Sequence, residues 1–516
     1  MKSIFFVFVS LILLSCSSTA AENQTEKGAD APIAEESETQ QNPNVNVKIS
    51  ELVSEKLSDI PKVAENPKIN VVVEGLGEGS AFLIGTYTDQ RYRADTAKVN
   101  AKGAMEFVKN EPYKAGLYYV VFEDNKFLQV LIDKDQTFTM KTTKANLVKD
   151  MEIKGSLENQ LLYENLKFQE SQKPLINRVK NQLKQHAKES QEYKDLKAEQ
   201  NNLNAERKAH LDLLFEKYPN TFFTSFKKAG QNPELKKIRG ADGKLDQVAQ
   251  ITQYRKDFWD DVDFNDDRLI STPVISNKLE RYISELTPQH PDSLRSAIDH
   301  LMSKLNPTKK EDPFYSFFVN WIGLKYEPGK TKLMDAEAVY VHMVQNYYTY
   351  DRSFWADSTQ VYALQLRAHE MSASLIGKKG PDVRAKNQNG QFKSIYEIDA
   401  PYIVVYLYNP QCEHCAVETP KLVQMEKAWR SKGLAVFAIA IDTNEEEWKG
   451  YLRKNGMDGF TNVYDPTNKA IYATYYVNVT PEVYVLNPDR ILIGKNLKVN
   501  QIETVINRDK KNRTEG

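Results

Sequence analysis

Cysteine is nearly absent from this chain, with three in 516 residues, at positions 16, 412 and 415. Three thiols can build neither a network of structural disulfides nor a four-cysteine zinc site. Charge of one sign is not in excess either: Lys+Arg is 69 and Asp+Glu is 70. Without a net basic field the chain has nothing to hold a phosphate backbone, so nucleic acid is not an expected partner. The apolar run near the N-terminus, Ile4 to Leu14, is eleven residues long and broken only by Ser10. Crossing the hydrocarbon core of a membrane takes about 20 apolar residues. What the run does fit, behind Met1 and Lys2, is a secretion signal.

The signal-like run ends in "LLSC" at Cys16. That tetrapeptide resembles the lipobox of bacterial lipoproteins, and the resemblance implies that residues 1–15 are removed and that Cys16 carries lipid. Several acyl chains on one residue anchor it firmly, at ~0.8 kcal/mol per buried methylene. Residues 16–66 then read as the lipidated cysteine and a flexible tether, because "SSTAAENQTEKGADAPIAEESETQQ" has almost no large apolar side chain to bury. With Cys16 assigned to lipid, Cys412 and Cys415 are the remaining thiols.

The length suggests roughly three domains. From 67 to 155, short β-branched and aromatic runs such as "INVVVEG" and "GLYYVVFED" alternate with turn residues, which predicts an N-terminal antiparallel, β-sandwich-like domain. No His or Cys falls within it. Residues 156–371 read as a central all-α region, from apolar positions recurring at three, four or seven. Two long helices are expected over 157–218, with Pro174 marking a break or a helix start. His342 and His369 read as core or surface histidines. "DDVDFNDD", 260–267, suggests a calcium loop through Asp261, Asp263 and Asn265, but Asp266 stands where the turn glycine belongs and Thr272 where the bidentate glutamate belongs. A solvated acidic loop is the better reading.

Residues 372–512 alternate strand and helix: "YIVVYLY", then a helix over 412–431, "LAVFAIAID", "NEEEWKGYLRKNG", "TNVYD", a helical "NKAIYATYY", "EVYVLN", "ILIGK" and a last helix. This order predicts a C-terminal α/β domain, a mixed sheet with helices on both faces. Cys412 and Cys415 follow the first buried strand and open a helix. Unpaired backbone N–H groups and the helix dipole favour thiolate there, so Cys412 is the expected nucleophile and Cys415 the resolving thiol. A cationic His414 beside Cys412, with its neighbour Glu413, would tune the pair. Glu418, three residues after Cys415, lies on the same helical side and could relay a proton. A metal centre made from Cys412, Cys415 and His414 would crowd a tetrahedral ion.

These stretches, with "IGKKGPDV", CEHC after "YNPQ", Glu418, Pro420 and "VTPEVYVLNPDRILI", resemble thioredoxin-fold domains of TlpA/ResA-like lipoproteins of Bacteroidetes type. Residues 67–370 are similar to the uncharacterised β and helical modules that precede such domains. The resemblance implies a thioredoxin-like domain over 372–512 and a thiol-disulfide oxidoreductase in the bacterial envelope, held by Cys16 in the outer membrane and facing the periplasm. It implies no cofactor beyond a redox-active Cys412–Cys415 disulfide. Its implied partners are disulfide-containing exported proteins and a membrane thiol that gives or takes electrons. It also implies that Pro481, preceded by Thr480, is a cis-proline facing the dithiol, and that Glu418 assists proton handling. Where the family has Trp before the first cysteine this chain has Gln411, so the departure falls on the docking surface. Two other classes stay open: a scaffold or binding lipoprotein with an auxiliary redox domain, and a peroxiredoxin-like enzyme, for which Asn409 stands where a Thr-x-x-Cys arrangement needs Thr.

Overall fold

A computed structural model describes residues 66–515 except 332, 469–473 and 478. The signal-like run, Cys16 and the tether lie outside the described residues. The chain divides into two units. One holds the described residues up to Ile84, with Arg93–Tyr113 and Tyr119–Ser156; the other holds Gly85–Tyr92, Lys114–Tyr118 and everything from Leu157 on.

Eight N-terminal strands form two four-stranded sheets: β1 (Lys68–Glu74), β2 (Gly79–Tyr87), β3 (Gln90–Val99), β4 (Ala104–Val108), β5 (Gly116–Phe122), β6 (Phe127–Ile132), β7 (Thr137–Thr143) and β8 (Glu152–Lys154). Their orders are β4-β1-β7-β8 and β3-β2-β5-β6. Strand β1 shows why: Ile69, Val71 and Val73 alternate along it and are fully buried, so one face must be covered. Antiparallel pairing joins β1 to β4 and β7 to β8, while β1 and β7 run parallel, a pairing that strands distant in sequence can make.

From Leu157 on, the second unit continues with helices α1 (Leu157–Leu183) and α2 (Gln191–Lys217). Pro174 lies inside α1 and does not break it, contrary to the sequence expectation. It sits on the exposed side, where the carbonyl it leaves without a donor is open to water. The two helices meet through a Gln172–Glu206 hydrogen bond of 2.8 Å and a stacked Phe168–His210 pair with centroids 4.0 Å apart. Seven more helices follow: α3 (Phe222–Ala229), α4 (Gln247–Asp257), α5 (Val274–Glu280), α6 (Pro291–Ser303), α7 (Pro313–Lys325), α8 (Ala336–Tyr347) and α9 (Ser358–Met371). In the acidic loop, Asp263 accepts from Asn265, Asp266 caps the following turn and binds Arg268, and Lys304 pairs with Asp260. Those carboxylates have partners of their own. His342 is held by Asp299 at 2.6 Å.

The C-terminal elements are β9 (Arg384–Lys386), β10 (Phe392–Ser394), β11 (Tyr402–Tyr408), α10 (Glu413–Trp429), β12 (Leu434–Ala440), α11 (Glu445–Asn455), β13 (Thr461–Tyr464), β14 (Glu482–Leu486), β15 (Leu492–Gly494) and α12 (Ile502–Glu515). They build a seven-stranded mixed sheet in the order β10-β9-β13-β12-β11-β14-β15. Strand β11 is central, parallel to β12 and antiparallel to β14, and every residue in it is buried. Its even positions, Tyr402, Val404, Tyr406 and Tyr408, join a core with α10, α11 and α12. Its odd positions, Ile403, Val405 and Leu407, join a second core with Tyr475 and Val477. The helix expected over "NKAIYATYY" falls largely on residues outside the described set. The mixed-sheet, thioredoxin-like architecture is the expected one, and it delivers the end of β11 to the N-terminus of α10.

Candidate functional site

The site is made by the turn between β11 and α10. Asn409 shapes it: its carbonyl accepts from the Cys412 N–H at 3.1 Å and its Oδ1 from the Gln411 N–H at 2.8 Å. Its amide donates to the Asp442 carbonyl at 3.2 Å, tying the turn to the end of β12. Cys412 is thereby the N-cap of α10, with extended backbone (φ −78°, ψ 123°), and its sulfur accepts from the Cys415 N–H at 3.4 Å. A cap is where an anion is most welcome, because the first N–H groups of a helix have no partners within it.

Facing it across the mouth, Thr480 presents its carbonyl 3.1 Å from the Cys412 sulfur, and the Thr480–Pro481 peptide is cis. The neutral thiol donates to that carbonyl. Partial burial pulls the Cys412 pKa up, but the Thr480 side chain, the Cys415 thiol and the N–H groups of Cys415 and His414 pull it further down, so it lies below its ordinary value. Cys415 is the opposite case. It is fully buried, and burial, reinforced by the adjacent Cys412 sulfur, pushes its pKa up to about 12. Both thiols are free. The pair therefore holds one partly exposed sulfur that gives up its proton more readily than an ordinary thiol and one kept protonated a turn behind it.

Behind Cys415 lies a polar chain absent from the sequence reading. Tyr406 Oη and Thr419 Oγ1 share a hydrogen bond of 2.7 Å, and Thr419 Oγ1 and Tyr451 Oη another of 2.8 Å. Tyr408 stacks between Tyr406 and Tyr451, with centroids 5.2 Å from each. Thr419 is one helical turn beyond Cys415 and fully buried. The signal was present in "YIVVYLY": tyrosines on the buried face of a central strand need partners for their hydroxyls.

The other expected site residues are placed differently. Glu418 does not hydrogen-bond either thiol. Its carboxylate accepts from Lys421 at 2.6 Å and from the Val499 N–H at 3.2 Å. Burial raises its pKa, and those two contacts more than offset this, leaving it below the ordinary carboxylate value. His414 and Glu413 are exposed in the first turn of α10. The contact His414 makes with the Cys412 sulfur is through its backbone N–H. Gln411, in the place of the expected tryptophan, donates from its side chain to Glu447 at 2.9 Å, and Glu447 also accepts from Thr443 at 3.1 Å. The rim beside Cys412 is thus a polar clasp to the start of α11 rather than an aromatic platform.

Three segments of the chain match protein families. The AhpC/TSA family matches residues 376–502, and two families described as domains of unknown function match residues 68–162 (DUF4369) and 245–371 (DUF5106). The thiol-disulfide oxidoreductase ResA of Bacillus subtilis is 22% identical over 123 residues, which is 24% of this chain and 65% of that protein. The chain thus spans less than two thirds of that relative's length. Among solved structures, a domain of a possible thiol-disulfide isomerase from Cytophaga hutchinsonii is 30% identical, with 28% of this chain and 97% of that one covered and a TM-score of 0.27. A thioredoxin-like protein from Bacteroides caccae is 19% identical, with 54% and 97% covered and a TM-score of 0.43. Residues 376–502 form a thioredoxin-like domain, on a chain whose two other matched segments are similar to families described as domains of unknown function.

Proposed function

We propose that the chain is a thiol-disulfide oxidoreductase whose working pair is Cys412 and Cys415. The observation that carries this reading is the asymmetry of the two thiols: the helix cap favours thiolate at Cys412 and burial holds the proton on Cys415. The Cys412 thiolate attacks one sulfur of a client disulfide; that S–S bond breaks and the other client sulfur leaves as thiolate, taking up a proton. Cys415 then gives up its proton and attacks the Cys412 sulfur. The mixed disulfide breaks, the second client thiol leaves, and a Cys412–Cys415 disulfide remains. Two electrons have passed to the client, and the same steps in reverse oxidise one. Backbone at Thr480, already against the sulfur, is the surface along which an extended client segment lies.

The clients in this reading are disulfide-containing exported proteins, and a membrane thiol resets the pair. "LLSC" supports a lipid anchor at Cys16, and in this reading the enzyme works in the bacterial envelope, held at the outer membrane and facing the periplasm. A peroxiredoxin-like enzyme is the second reading, favoured by the AhpC/TSA match. Its Thr-x-x-Cys arrangement is missing, and Asn409 uses its side chain on Gln411 and Asp442.

The test is reduction of insulin disulfides by the chain lacking residues 1–16, beside the same assay with hydrogen peroxide. Insulin reduction that disappears in Cys412→Ser supports the exchange reading. Equal inertness of wild type and mutant sinks it in favour of a scaffold, and peroxide turnover without disulfide turnover sinks it in favour of the peroxidase.

A further inference from the structure

The helical region reaches the base of the loop that carries Thr480. Arg367, on α9, donates from Nε to the Tyr476 hydroxyl at 2.7 Å and from Nη1 to Glu327 at 3.1 Å. Its guanidinium also lies over the Tyr340 ring, 5.4 Å from the centroid, and against the Tyr476 ring at 5.8 Å. Just after α9, Ser374 donates to the Tyr475 carbonyl at 2.9 Å. Tyr476 packs against the apolar cluster that α8 and α9 form through residues such as Tyr340, Val344, Ala368 and Met371.

Tyr476 has a left-handed backbone, φ +52°. A bulky residue adopts that conformation only when its surroundings over-determine it, and such strain collects where a loop must be held in one place. Four residues further on is Thr480, whose carbonyl touches the Cys412 sulfur at 3.1 Å. A planar guanidinium suits this duty, because its fixed fork grips a hydroxyl and a carboxylate at once while its face stacks on rings.

We propose that Arg367 is a positioning residue for exchange at Cys412: through Arg367 and Ser374 the helical region fixes Tyr475 and Tyr476, and so sets where Thr480 lies against the reactive sulfur. This gives the segment matched by DUF5106 a role in the redox site, as support for the loop that receives the client. It rests on the exchange reading for its consequence in turnover, but the placement of Thr480 can be read without turnover.

The experiment uses the chain lacking residues 1–16, with Arg367→Ala, Arg367→Lys and Tyr476→Phe. Tyr476→Phe keeps the ring and removes only the hydroxyl, so it decides the matter if Arg367→Ala fails to fold. Iodoacetamide alkylation of Cys412 is followed against pH, and KM and kcat against a peptide disulfide. The expected result is an alkylation midpoint displaced from that of wild type, because the contacts of Thr480 with the Cys412 sulfur are loosened, with KM raised more than kcat is lowered and Arg367→Lys intermediate. Alkylation profiles of Tyr476→Phe and Arg367→Ala that superimpose on wild type overturn the proposal. A wild type inert toward disulfides defeats the exchange reading instead, and leaves the alkylation profiles to decide on Arg367.

Discussion

The sulfur of Cys412 sits 3.1 Å from the carbonyl oxygen of Thr480, so the residue that starts exchange and the backbone that would line up a client are already in contact. The helix N-terminus on one side and the loop on the other determine when that sulfur is charged, and the expected consequences can be measured one group at a time.

Selective alkylation of the reduced protein should distinguish the two thiols. Cys412 should react with a midpoint below that of an ordinary thiol, and Cys415 should resist until about pH 12. The sign for stability follows: Cys415 holds its proton more tightly folded than unfolded, so its contribution is complete below an ordinary thiol pKa and is lost as pH rises toward 12. Glu418→Gln should leave both midpoints in place, because the Glu418 carboxylate binds Lys421 and the Val499 amide. A change in the Cys415 midpoint in that variant would return Glu418 to the proton path.

Thr419→Val should destabilise the domain by about 1–3 kcal/mol in urea denaturation, since it leaves two buried tyrosine hydroxyls short of a partner. The side-chain volume is nearly kept, so the loss reports the hydrogen bonds to Tyr406 and Tyr451. Tyr451→Phe should cost less, because Thr419 then keeps Tyr406. Equal losses in the two variants would show that the chain does not act as a unit.

How much of this was readable beforehand depends on distance along the chain. Strand β11 announces itself as an unbroken apolar run, and the cap at Cys412 follows from a strand meeting a helix at two thiols. The β9–β10 hairpin is harder: its three-residue strands carry no period, and only Asn389–Gly390 marks the turn. Partners far apart leave no local trace. Thr419 and Tyr451 are separated by 32 positions, Glu418 and Val499 by 81, and Arg367 and Tyr476 by 109. Glu418 at the right helical spacing was therefore a statement about side, and its actual partner is decided by the arrival of the segment before α12. Pro174 shows the converse, a local rule overridden where the orphaned carbonyl faces water.

Asp335 offers a test of the second unit's pH dependence. It is almost fully buried just before α8; one carboxylate oxygen accepts from the Ile376 N–H at 2.9 Å and the other has no partner among the described residues. Burial pushes its pKa up to about 7, against the pull of Lys495, the Ile376 N–H and Arg295 and with the push of Glu337. A carboxyl raised in this way contributes stability that is complete below its unfolded pKa and lost as pH rises through 7. Asp335→Asn keeps an acceptor for Ile376 and tolerates the left-handed backbone at this position, φ +58°. Its stability relative to wild type should rise between pH 4 and pH 8 by on the order of 2–4 kcal/mol. A constant difference across that range would mean that the carboxyl is not strained by its burial.

The most direct measurement is capture of the exchange intermediate. Cys415→Ala, lacking residues 1–16, is mixed with two peptides joined by one disulfide, and intact and proteolytic masses are recorded. A stable adduct of one of the two peptides, linked at Cys412 with the other peptide released as a thiol, and absent in Cys412→Ser with Cys415 intact, is the predicted result. No adduct at Cys412, under conditions where a free thiol of ordinary pKa does form one, would contradict a site built to exchange disulfides.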